Sequence, residues 1–173
     1  MRHLFLLLFT TIIGSCASYQ VPTSPLLEAG QVWLLMPFEN NSNRPLAAEN
    51  AEQILAALLY AKDVRVSAYP KTKITDLKSI LDSSAREENA MAWLSRENGK
   101  YVISGSVDEW QYKSGLDGEP AVGVTLILRD KTNGEVIWRA TGTRAGWGRE
   151  SLTGTGQIVL QELIDGLNIS ESH

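Results

Sequence analysis

The sequence predicts an α/β fold: a single domain with a mixed, mostly antiparallel sheet and helices on its faces, in the order β-α-β-α-β-β-β-α. Three observations carry this expectation. Val32 to Met36 are continuously apolar, as in a central strand covered on both faces. Two stretches that follow change to a helical stripe. Three later stretches form an alternating, strand-like half, with an Asn133-Gly134 hairpin signal before the last.

The elements follow in order. Residues 31–38 form the first strand, ended by Pro37, and residues 39–45 (ENNSNRP) form a turn. From Leu46, Ala47, Ala51, Ile54, Leu55 and Leu58 mark one helical stripe, with Glu49, Glu52 and Lys62 off it. Residues 64–68 make a short second strand, and one or two helical turns are expected over 75–81. Ser84 with Glu87 reads as a capping box opening a helix that carries Ala90, Trp93 and Leu94. Gly99 is expected to close it as a left-handed cap. Tyr101, Ile103, Gly105 and Val107 alternate with polar residues, as do Val122, Val124, Leu126 and Leu128; a third strand runs over 135–143. Leu160, Leu163, Ile164 and Leu167, spaced i, i+3, i+4 and i+7, mark a last helix.

The chain begins MRHLFLLLFTTIIGSC. Arg2 and His3 precede an apolar run over 4–13, too short for a spanning helix, which needs roughly 20 residues. It fits the h-region of a secretory signal over residues 1–15. Cys16 is the only cysteine, so no disulfide within the chain is available and stability must come from a packed core. Residues 16–30, with Pro22 and Pro25 among small polar residues, read as a tether. The domain then occupies 31–168 and a short tail 169–173. Removing the signal leaves about 158 residues (173 minus 15), a normal single-domain size. The net charge of −4 becomes −5 once Arg2 is lost, which gives no case for nucleic-acid binding.

The two histidines are His3, in the signal, and His173, the last residue. Ser-His, Cys-His and His-ligated zinc chemistry are therefore unavailable, and the chain is read as a non-enzyme without cofactor or metal. Gly154-Thr155-Gly156 lacks the following Lys and Ser/Thr of a phosphate loop, and Thr153 or Thr155 is expected to cap the last helix instead. Asp108 and Glu109 are expected on a solvated sheet face, and Asp117, in GLDGEP with Glu119, at a hairpin tip. Trp147 lies in RAGWGRE, between two glycines and flanked by Arg144 and Arg149. Such a loop suits a membrane-interface or subunit contact; the competing reading folds the indole back onto the sheet.

Ile13-Gly14-Ser15-Cys16 resembles the lipobox of bacterial lipoproteins, which implies signal removal before Cys16 and acylation of that residue. Ala17, rather than Asp, after the cysteine implies sorting to the outer membrane. The segment WLLMPFENNSNRPL, the order of elements and the Gly-Trp-Gly loop together resemble the PelC family of outer-membrane lipoproteins of Pel exopolysaccharide export, along essentially the whole chain. That resemblance implies a ring of identical subunits at the periplasmic face of the outer membrane, below a PelB-like β-barrel exporter. It implies Trp147 at the membrane rim and an acidic interior, with Asp117 and Glu119 its candidates, guiding a cationic polysaccharide. LLMPFENNS with an alanine-rich helix also resembles amino-terminal TolB domains, curli secretion lipoproteins and LpoB-type activators of peptidoglycan synthases. An envelope-enzyme activator and a curli-type secretion lipoprotein are the alternatives at this point.

Overall fold

Seven strands form one open mixed sheet, and the computed structural model describes it through residues 16–28, 30–70, 83–114 and 118–170, with the backbone alone for 83–87. The elements are β1 (Ala17–Gln20), β2 (Val32–Leu35), β3 (Glu39–Asn40), α1 (Ala47–Ala61), β4 (Arg65–Ala68), α2 (Ser83–Leu94), β5 (Tyr101–Tyr112), β6 (Pro120–Asp130), β7 (Val136–Ala145) and α3 (Leu152–Ile164). The strand order is β1-β7-β6-β5-β2-β4, with β3 also pairing β5. β2 runs parallel to β4 and β5, while β5, β6, β7 and β1 are antiparallel, as the expected fold class requires.

Burial explains the layers. Alternate residues of the long strands (Ile103, Val107, Trp110, Val122, Val124, Leu126, Leu128, Trp138) point to one face. There they meet Ala47, Ala51, Leu55 and Leu59 of α1 and Val159, Leu160, Leu163 and Ile164 of α3. On the other face Leu34, Met36 and Val102 pack under Ala90 and Trp93 of α2, so β2 is buried on both sides as its unbroken apolar run implies. The remainder of that face is mostly polar, with Ile127 paired to Ser104 and Arg139 on it. A bulge between Val107 and Glu109 turns both Asp108 and Glu109 toward it, where Thr125, Ser106 and Asn41 donate to the Asp108 carboxylate.

Several local expectations are corrected. Residues 16–28 are not a free tether: β1 is an edge strand on β7, and the chain then straps across the domain. Trp138 Nε1 donates to the Pro22 carbonyl at 2.7 Å, Ser24 N–H donates to Gly166 O, Asn168 N–H donates to Ser24 Oγ, and Leu27 is buried and bridges Ile169. Ile169 and Ser170 thus belong to the domain rather than to a tail. Glu52 is buried, because its carboxylate accepts the Phe38 N–H left open where β2 ends. Gly99 is not left-handed; a side chain there would strike Leu34 and the Val32 carbonyl, so close approach is what requires glycine. Ser151, rather than Thr153 or Thr155, caps α3 by accepting from Gly154 N–H. The turns expected over 75–81 and the side chains of Ser84 and Glu87 lie outside the described residues.

Candidate functional site

The antiparallel register gathers the described candidates, Cys16, Arg144, Trp147, Arg149 and Glu119, at one end of the sheet. β5 ends and β6 begins there, at Tyr112 and Pro120; β7 ends there at Ala145, and β1 begins there just after Cys16. Cys16 is exposed and its carbonyl accepts from Ala145 N–H at 3.0 Å. One residue further on, Gly146 N–H donates to the Pro120 carbonyl at 2.7 Å and ties the two loops together.

The loop that follows is a tight turn, closed by Glu150 N–H donating to Trp147 O at 2.8 Å. It presents Trp147, 48% exposed, and Arg149 outward. The indole does not fold back into the core. Arg144 behaves differently from Arg149. Its guanidinium turns in and reaches both oxygens of Glu150 at 3.0 and 3.2 Å, with Thr155 Oγ1 donating to the same carboxylate at 3.3 Å. The pair is partly buried, so Arg144 braces the loop from beneath. Gly146 permits this, since a Cβ there would lie 2.6 Å from Glu150 Oε2 and 2.8 Å from Thr155 Oγ1.

Of the acidic candidates, Glu119 lies at this same end, half-buried, with its carbonyl accepting from Lys113 N–H. Asp117 lies outside the described residues. The sequence places Trp147 and Glu119 on separate loops; the Gly146–Pro120 bond makes those two residues' segments neighbours. Sequence reasoning missed Glu150 and Tyr112. Tyr112 is 48% exposed and its hydroxyl accepts from Leu152 N–H, at the start of α3. Its place at the end of an alternating strand was the signal available for finding it. Among the described residues no helix is long and apolar enough to cross a membrane.

No family model and no curated protein matches the chain. Solved structures do. A PelC dodecamer from Paraburkholderia phytofirmans is 32% identical over 90% of this chain and 99% of its own, with a TM-score of 0.73. A leucine-to-methionine variant of PelC from the same organism, also a dodecamer, is 33% identical over 91% of this chain and 100% of its own, at 0.74. A lipoprotein from Neisseria meningitidis, 15% identical over 78% of this chain and 95% of its own at a TM-score of 0.55, shares the fold alone. Fold and neighbours together define a small mixed α/β domain of the kind these solved structures share. Within that class the chain belongs to the PelC family.

Proposed function

We propose that the protein is an outer-membrane lipoprotein, acylated on Cys16, whose identical subunits form a ring that guides a cationic exopolysaccharide to its outer-membrane β-barrel exporter. The observation that carries this reading is the similarity to PelC dodecamers at 32–33% identity along nine-tenths of the chain. Trp147 and Arg149 would meet headgroups, the indole at the interface and the guanidinium on phosphate. Asp117 and Glu119 repeat once per subunit; around a ring, like charges focus the field and raise the local concentration of a counter-charged polymer.

The register of β1 favours this reading over a synthase activator. An activator that reaches through peptidoglycan needs free chain between lipid and domain, whereas Ala17 is already paired with Arg144. Secreted polymer per cell, measured beside protein level and oligomer size, tests the guide. Asp117→Lys with Glu119→Lys should leave assembly intact and sharply reduce export. Full export from an assembled double variant would remove the electrostatic guide.

A further inference from the structure

We propose that the lipid anchor has no tether. β1 stays paired with β7 in the membrane-bound protein, so the acyl chains leave beside Ala145 and the end of the sheet bearing Tyr112, Lys113, Trp147 and Arg149 is held against the headgroups, with Tyr112 a second interfacial aromatic. This rests on the reading of Cys16 as the acylated residue.

Distances carry the argument. The pairing of Ala17 with Arg144 and the bond from Ala145 N–H to Cys16 O set Cys16 opposite Ala145. Opposed residues in antiparallel strands have Cα atoms about 5.5 Å apart. Trp147 lies two residues further along, at most about 7 Å. The acylated residue is therefore within about 12 Å of Trp147, whereas a free 15-residue tether would reach about 50 Å. Tyr112 pairs with Pro120, three strands from Cys16, or about 15 Å at the usual strand spacing. The acyl chains enter the bilayer at one edge of this end, with no free chain between them and the sheet.

What faces the lipid has matching chemistry. Trp147 and Tyr112 are each 48% exposed, and Tyr112 keeps its hydroxyl satisfied on Leu152 N–H while its ring is open. Lys113 and Arg149 are exposed beside them, as cations that meet phosphate. The strap that holds β1 down is substantial: Pro22 O on Trp138, Ser24 on Gly166 and Asn168, and Leu27 in the core. Peeling β1 back to Gln20 alone would yield only a few residues of slack, and releasing more would expose Leu27.

The test uses the full acylated protein in phosphatidylethanolamine–phosphatidylglycerol vesicles with brominated acyl chains. The quenching due to Trp147 is isolated by comparison with Trp147→Phe. A Gly-Ser insertion of about twelve residues between Cys16 and Ala17 adds a mean span of about 20 Å without touching β1. The insertion should leave flotation with vesicles complete and reduce Trp147 quenching several-fold, and Tyr112→Ala should reduce it in the uninserted protein. Unchanged quenching after insertion overturns the proposal. In a second arm, Ser18→Cys with Thr143→Cys places thiols on facing residues. The disulfide should form in membrane-bound protein with quenching intact; failure to form, or loss of quenching on locking, shows that β1 must leave β7 and also overturns it. If the uninserted protein fails to float, the acylation reading itself is what has failed.

Discussion

Leu26 and Leu27 are adjacent leucines in a segment whose composition suggests a linker, and they should respond very unequally to truncation. Leu27 is 1% exposed, packed in the main core and bridged to Ile169; Leu26 is 67% exposed. Leu27→Ala removes buried methyl groups and leaves a cavity between the strap and the sheet, which costs about 2–4 kcal/mol. For a domain of this size, each kcal/mol moves Tm by roughly 2–4 °C, so a fall of about 4–16 °C is expected. Leu26→Ala should stay within about 0.5 kcal/mol, as surface substitutions do. The assay is chemical and thermal unfolding of the mature domain without its lipid, followed by circular dichroism at fixed protein concentration because assembly couples to stability. Equal, near-zero effects of the two substitutions would show that residues 17–28 do not pack on the domain in solution, and the strap would be refuted.

Gly156 of α3 faces Trp110, and a Cβ there would press into the indole, 2.8 Å from Cζ3. Because Trp110 is buried and cannot yield, Gly156→Ala should destabilise by about 1–3 kcal/mol despite the better helix propensity of Ala, read as a lower denaturant midpoint. The Tyr19 hydroxyl is buried without a hydrogen-bond partner among the described residues, and burial pushes its pKa up. Tyr19→Phe should therefore be neutral or stabilising by up to about 1 kcal/mol in the same unfolding measurement. The Lys100 ammonium beside Glu28 and the Thr132 N–H on Asp130 hold both carboxyls below their ordinary values of 4.5 and 3.8. Lowered carboxylate values stabilise the fold above the unfolded values and lose that effect as pH falls through the folded ones. Unfolding midpoints should thus drop below about pH 4, less steeply in Glu28→Gln.

The parts of the fold that were legible in the sequence are those with local periodicity. The unbroken apolar run of β2, the alternation of β5 and β6, the Asn133-Gly134 turn and the α3 stripe each repeat a spacing that one element imposes. The strap was not legible, because its contacts are single and distant. Tyr19 packs on Gly142, Pro22 O meets Trp138, and Leu27 meets Ile169, none with a repeat around it, while two prolines mimic a linker. Glu52 was placed on the solvated side of α1 because the helical stripe cannot reveal an unpaired N–H waiting at Phe38. For the candidate site, the Gly-Trp-Gly loop was visible as a sequence oddity. That Arg144 would turn inward while Arg149 faces out depended on Glu150 and Thr155, which spacing alone did not single out.

The native mass of the acylated mature protein, extracted in mild detergent, tests the central claim most directly. A ring of PelC type predicts a discrete species near twelve times the mass of the mature chain, following the dodecamers it resembles. A species that remains monomeric at every protein concentration, with the lipid present, would contradict it.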